Sequence, residues 1–502
     1  PYDEDRLLGA VPPDAVFVSL HDRLDERWPN IFDTPAVRRT LLAAGVDVED
    51  LDRLRRDPDV LDAVRRFASK KTVVAYVPSG ARGVSGWVIA TWIGRYSQWM
   101  RWGLLNARLG DMERVRLGAE GSYWRYRDES LPDGMQFTMA PHEGVGVGCL
   151  STDELAAARV RAELRAGRRI HRVLAVDQRT DHSRAFRHVR DRFWFVGRQG
   201  LEEPWRVRGC LRKIAGGRIE GAAEMAVRLS APATVSAEAL RTVNERFNGL
   251  VDGLLVMPAA SLKDGALAER LPAAVSEGLE PFWPSVDREN GSVFLAVAAD
   301  DFRGHMLDMR VPTFLLGYRA RPDAVLTGVA ARVLDGLNAA HDWGLIPRPS
   351  RSASVPTIGI DGIRGQSPAA LIRDVSLVEW DGWFVLTTDA AALEAMIQAG
   401  REGRAARPSP AGRSASGGAL LPVRGDCSAA LYLGGGELAD PLRDAKAVAE
   451  LLLMLGGGED ARAKRDALGM ADAWLAAFEV LGTSTWILDA ESGYPRLEFA
   501  IE

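Results

Sequence analysis

Tyr123-Trp124-Arg125-Tyr126-Arg127, followed at once by Asp128-Glu129, is the stretch of this chain best supplied with groups that could do chemistry. Paired carboxylates beside aromatic platforms are how glycoside hydrolases protonate and attack a glycosidic bond. Adjacent residues on a strand, however, point to opposite faces and cannot flank one bond. The stretch therefore reads as a binding patch, in which Tyr123, Trp124 and Tyr126 supply contact area and Arg125 and Arg127 supply polar anchors. Asp300-Asp301 is a second carboxylate pair.

Arg179 to Arg192 holds His182, His188, Asp181 and Asp191, which are metal-ligand types. The same segment carries Arg184, Arg187 and Arg190, and fixed cations beside a metal ion are unfavourable. An anion-binding face at those three arginines is the preferred reading, and neither a metal nor a cofactor is expected. His142-Glu143-Gly144 has the composition of a hairpin turn rather than of an acid–base dyad. Gly434–Gly436 and Gly456–Gly458 lack the lysine and spacing of a phosphate loop and read as turns. GxSxG, HExxH and GxxxxGK[ST] are all missing, so no catalytic residue is assigned.

The elements that would position these groups repeat a grammar. Thr72-Val73-Val74-Ala75-Tyr76 reads as a strand, and Trp87 to Leu105 as a helix with Ile89, Trp92, Ile93, Tyr96 and Trp99 on one stripe. Adding 241 to each number carries that stripe onto Ala330, Val333, Leu334, Leu337 and Ala340, and Thr72 onto Thr313. Trp102-Gly103 then meets Trp343-Gly344 at a helix end. On this register the tryptophans are core packing, and Trp87, off the stripe, is left as a surface candidate. Two strands follow each helix, with turns at His142-Glu143-Gly144 and Asp381-Gly382. The next helices are capped at Thr152 or Asp153 and at Thr388 or Asp389.

The predicted fold class is α+β, with two to three repeated units of antiparallel sheet covered by helices on one face. The expected divisions are a first unit at 1–168, a β-rich meander at 169–231 and a duplicate unit at 232–400. A linker at 401–425 and a shortened third unit at 426–502 complete the chain. Val48 to Phe67 reads as one amphipathic segment.

At 502 residues with 47% apolar and 26% charged content, the chain is a folded protein of several domains. A net charge of −5 argues against a broad nucleic-acid-binding field. Six lysines stand against 57 arginines, as a GC-rich genome would produce. Cys149, Cys210 and Cys427 are far apart, which supports neither a zinc site nor a dense disulfide framework. No apolar run approaches the roughly 20 residues that span a bilayer. The first residue is Pro1, consistent with removal of a signal or N-terminal anchor.

The opening strand in Pro12-Pro13-Asp14-Ala15-Val16-Phe17-Val18, the repeated units and the closing hairpin at Pro495-Arg496-Leu497-Glu498-Phe499-Ala500 resemble a group of uncharacterised bacterial proteins. Those are large duplicated α+β proteins, usually carrying an N-terminal signal or single membrane anchor and lying outside the cytoplasmic membrane. The resemblance implies a periplasmic or membrane-anchored address and brings no catalytic residues. The expected function is a non-catalytic scaffold or binding protein of a bacterial envelope assembly with a protein partner. A glycan-directed envelope hydrolase and a carrier of an apolar ligand are the alternatives.

Overall fold

The computed structural model describes residues 4–12, 15–43, 47–78, 86–106, 112–116, 122–126, 134–165, 190–196, 206–225, 233–247, 250–263, 280–287, 291–298, 312–341, 344–349, 355–362, 375–401, 421, 425–434, 438–440, 442–444, 446–447, 475, 481–489 and 495–502. The chain forms two compact units, Pro1–Val227 and Arg228–Glu502.

In the first unit a short helix α1 (Glu4–Leu8) precedes strand β1 (Phe17–Asp22). Along β1, Val18 and Leu20 are buried with the apolar core, and Ser19 and His21 take the opposite face, the period of two that a strand imposes. A helical insertion follows, with α2 (Trp28–Asp33), α3 (Pro35–Ala43), α4 (Val48–Arg56) and α5 (Pro58–Ala68). The single segment expected from Val48 to Phe67 is broken at Asp57, which is extended at φ −62°, ψ 121°. Pro58 is the cause, because a proline drives the residue before it out of the helical region.

Next come β2 (Lys71–Val77), β3 (Gly86–Trp92), α6 (Tyr96–Asn106), β4 (Glu113–Arg116), β5 (Ser122–Tyr126), β6 (Gln136–His142), β7 (Val145–Ser151) and α7 (Ala156–Arg165). The unit closes with β8 (Asp191–Val196), β9 (Arg206–Ala215) and β10 (Arg218–Met225). Every pairing is antiparallel, and the spatial order is β10-β9-β8-β1-β2-β3-β7-β6-β5-β4.

The second unit contains α8 (Ala237–Phe247), β11 (Gly253–Pro258), α9 (Ala259–Lys263), β12 (Ser292–Ala298), β13 (Thr313–Arg319), α10 (Leu326–His341), β14 (Leu345–Pro349), β15 (Thr357–Gly362), β16 (Ser376–Trp380), β17 (Trp383–Thr387) and α11 (Ala390–Arg401). Strands β18 (Ala429–Gly434), β19 (Thr483–Asp489) and β20 (Arg496–Ile501) follow. Its antiparallel order is β20-β19-β18-β11-β12-β13-β17-β16-β15-β14, the first order with ten added to each label.

The architecture is thus α+β with antiparallel sheets, but the expected divisions change. Strand β8 hydrogen-bonds to β1, so 169–231 is not a separate connection, and its strands complete the first sheet. Strand β18 likewise pairs with β11, so 426–502 supplies the flank of the second sheet rather than a third unit. The register of 241 also fails. It lays Val88 and Ala90 of strand β3 on Val329 and Ala331 of helix α10, and it matches β2 to β13, although β13 holds the place in its sheet that β3 holds in the first.

Helices cover both faces of the first sheet, not one. Leu7 and Leu8 of α1 and Ala156–Ala158 and Val160 of α7 join Val18, Leu20, Val73, Ala75, Val88, Val147 and Cys149 in one core. On the other face, Thr91 donates to the Phe67 carbonyl at the end of α5, and Ile93 lies over Gly146 just ahead of α6.

Turns and caps follow local rules. Glu143 and Gly144 (φ 41° and 88°), and Asp381 and Gly382 (φ 48° and 78°), are two-residue hairpin turns with both central residues left-handed. Asp153 accepts from the Leu155 amide at 3.0 Å, and Asp389 from the Ala392 amide at 2.9 Å, so aspartate is the capping residue in both cases. Among the described residues, no helix is long and apolar enough to cross a membrane.

Candidate functional site

Residues directly opposite one another in a sheet share a face. Following the register across the first sheet from β9 to β5 gives Val207, Phe195, Phe17, Tyr76, Trp87, Leu150, Phe137 and Tyr126. Six of these eight are aromatic, and none is fully buried. The rings pack at angles rather than flat: Phe17 on Phe195 at 4.9 Å and 41°, Tyr76 on Trp87 at 4.9 Å and 49°, and Phe17 against Trp87 at 6.3 Å and 78°. Such tilted contacts hold the rings to one another, so the row is a firm apolar surface rather than a flat platform.

Helix α6 stands on the same side of the sheet, and its outward face carries Tyr96, Trp99 and Trp102 at spacings of three. Together with Trp87, Ile89 and Phe195, these side chains are between 37% and 60% exposed. The expectation that Trp99 and Trp102 pack in the core is therefore corrected. Among the described side chains of α6, the buried ones are instead Ser97 and Met100. Strand β3 ends at Trp92, so the expected stripe joins strand residues to helix residues. Gly103 also lies inside α6, so Trp102-Gly103 does not end that helix. Trp87, the surface candidate, is exposed as expected.

A charge signal in the sequence also marks this region. Residues 63 to 110 contain no Asp or Glu but include Arg65, Arg66, Lys70, Lys71, Arg82, Arg95, Arg101 and Arg108. With 68 acids in 502 residues, about six or seven would be expected in those 48 positions. Arg66 pairs with Asp62 and Lys71 with Glu4, while Arg65 and Arg95 are exposed. All the exposed tryptophans among the described residues fall in this segment.

The remaining sequence candidates are placed differently. Tyr123 and Trp124 are buried at 1% and 0% exposure, one in the core on each side of the sheet. That corrects the binding patch: alternation on β5 sends these rings into packing. Arg125 is held by Glu113 at 2.7 Å and Glu154 at 2.9 Å, which raise its pKa through the Glu113 hydrogen bond. Tyr126 is half-buried in the aromatic row. Arg190 is exposed and reaches Glu26 at 4.0 Å, so it faces a carboxylate. Arg127, Arg184, Arg187, His182, His188 and the pairs Asp128-Glu129 and Asp300-Asp301 lie outside the described residues. Glu143 pairs with Arg6 in its turn.

Asp191 belongs to a cluster that no local motif announces. His21 Nδ1 lies 3.2 Å from Asp191 Oδ1, and His21 Nε2 lies 3.0 Å from Ser19 Oγ. Arg27 pairs with the other Asp191 oxygen. Burial, followed by the Arg27 charge, pushes the His21 pKa down to about 4. The imidazole is then neutral, donates from Nδ1 to Asp191, and leaves Nε2 to accept a hydrogen bond from the Ser19 hydroxyl, which also lies 3.5 Å from the Val74 carbonyl.

This is the order of groups in a nucleophilic triad, but not the setting of one. Ser19 is 4% exposed, and Arg27 already neutralises the carboxylate that would balance an imidazolium. The cluster is a buried polar brace between β1, β8 and the helical insertion. The corresponding register positions in the second sheet are Leu255, Met257 and Ala429, so the brace is not required by the strand order.

In the second unit, a surface cleft of about 330 Å³ opens at the start of α10, lined by Ser285, Arg321, Asp323 and Arg332 among others. Arg321 is held by Asp323 at 2.7 and 2.9 Å, and Ser285 by the Tyr318 hydroxyl at 2.9 Å, so these three lining groups already have partners. Cys149, Cys210 and Cys427 are buried and are not joined in disulfides. Neither family models nor curated proteins nor solved structures give a match to the chain.

Proposed function

We propose that the chain is a non-catalytic binding protein of a bacterial envelope assembly, acting outside the cytoplasmic membrane and built by duplication of one α+β unit. Support for the duplication is the identical pairing order of β1–β10 and β11–β20. The observation that carries the binding role is the aromatic row centred on Tyr76 and Trp87, with Phe195 and Ile89 exposed beside it. Contiguous exposed aromatic surface is uncommon on monomers, and Trp and Tyr dominate the anchors of protein interfaces. Tilted ring packing fixes the row before a partner arrives, which lowers the entropy lost on binding.

The test is affinity capture from the native host, followed by native mass measurement of the recovered complex. A partner held in fixed stoichiometry by the unaltered chain and lost from Trp87→Ser supports the reading. A chain recovered only as a monomer, or a partner held equally by both forms, refutes it.

A further inference from the structure

We propose that helix α6 docks the first unit onto the headgroup region of an anionic lipid bilayer. The helix has two dissimilar sides. Ser97 and Met100 are buried against the unit, whereas Tyr96, Trp99 and Trp102 are 48%, 50% and 60% exposed. Tyrosine and tryptophan combine an apolar ring with a polar edge, and both concentrate at the level of lipid headgroups. An amphipathic helix lying in the bilayer surface joins such rings to cations that meet anionic lipid.

The charge condition is met with unusual consistency. In a chain of net charge −5, residues 63–110 hold eight cations and no acid, and among the described ones Arg65 and Arg95 are exposed while Arg66 and Lys71 are paired with Asp62 and Glu4. Arg95 is exposed at the start of α6, and the Lys70 ammonium lies beside Gly94, 3.3 Å from where a Cβ would stand. The carboxylate of Glu143, in the turn whose Gly144 carbonyl accepts from the Ile93 and Gly94 amides, is paired with Arg6. Ile89 and Trp87 on the same side of the sheet extend the apolar contact.

Single-stranded nucleic acid also uses stacked aromatics among cations. The overall negative charge and the aliphatic Ile89 beside the rings favour a bilayer. The inference goes beyond the partner-binding role and does not depend on it.

The test is sedimentation of the full chain with phosphatidylcholine vesicles, with and without phosphatidylglycerol, monitored also by tryptophan emission. The expected result is binding to the phosphatidylglycerol vesicles, with a blue shift of the emission and weakening as salt is added. Trp99→Ser combined with Trp102→Ser should reduce that binding about tenfold or more, with the circular dichroism spectrum unchanged. Arg95→Glu should weaken it several-fold, whereas Val325→Ser, at an exposed position of the second unit, should leave it intact.

The proposal is overturned if the unaltered chain stays in the supernatant with phosphatidylglycerol vesicles. It is also overturned if folded Trp99→Ser/Trp102→Ser binds as the unaltered chain does, or if an oligothymidylate binds while vesicles do not. None of these outcomes alters partner capture through Trp87, so the two readings fail separately.

Discussion

Nδ1 of His21 lies 3.2 Å from a carboxylate oxygen of Asp191, although 170 residues separate them in the chain. Arg27 holds the other oxygen of the same carboxylate, and Ser19 closes the far side of the imidazole at 3.0 Å. Removing one partner of a buried charged pair leaves the other without compensation. Asp191→Ala should therefore lower the unfolding free energy by about 3–5 kcal/mol, read from urea denaturation. Ser19→Ala, which removes only neutral hydrogen bonds, to His21 and more weakly to the Val74 carbonyl, should cost only about 1 kcal/mol. Equal losses for the two would contradict the assignment of Asp191 as the centre of the brace.

The same cluster sets an acid limit. The folded His21 pKa is depressed to about 4 from its ordinary value of 6.5, so between these values the unfolded chain binds a proton that the folded chain refuses. Stability from this group is present above pH 6.5 and is lost as the pH falls toward 4. The full loss corresponds to roughly 3 kcal/mol. Chemical denaturation across this range should show the decline, and His21→Gln should flatten it. A variant whose stability falls as steeply as the unaltered chain's would assign the effect elsewhere.

In each sheet a phenylalanine ring lies over the glycine directly opposite it, Phe193 over Gly209 and Phe294 over Gly317. A Cβ at either glycine would stand 2.2 Å from a ring carbon. Gly317→Ala should therefore destabilise the second unit by about 1–3 kcal/mol through overpacking. The double change Gly317→Ala with Phe294→Leu should recover part of the loss, which thermal melts of both variants would check.

Burial raises the thiol pKa of Cys427 to about 11 and that of Cys149 further, and Cys210 is buried as well. Because the thiolate is the reactive form, all three should resist alkylation at pH 8 in the native chain and react once it is denatured. Mass spectrometry after iodoacetamide treatment gives the count. Rapid native labelling of Cys149 would be inconsistent with its place in the core.

Much of the local structure was legible from residues alone. Apolar runs located strands such as β2, β12, β13, β17 and β18 but not β3, β4, β14 or β15, and Asp381-Gly382 and Glu143-Gly144 announced their turns by composition. Asp153 and Asp389 fell within the expected caps. The error at Trp87–Leu105 has a physical source: Ile89, Trp92, Ile93 and Tyr96 fit a helical spacing by coincidence, while the strand ends at Trp92 and the chain turns at Gly94. Burial of Tyr123 and Trp124 was hidden because a two-sided sheet buries both alternating faces, so large aromatic residues in succession look like a surface patch. The contact of β8 with β1 has no local trace, since register across that distance is fixed by tertiary pairing. The acid-free stretch from 63 to 110 was visible as charge pattern and needed only to be counted.

That late pairing of β8 with β1 has a consequence during synthesis. One edge of β1 is completed by residues made about 170 positions later. Ribosomes add roughly 5–20 residues per second, so the nascent chain carries that edge unpaired for roughly 10–30 s. Strand β11 waits in the same way for β18. Each open edge is a template for pairing with another chain. Translation of this protein therefore passes twice through an interval in which a chaperone that shields strand edges would raise the yield.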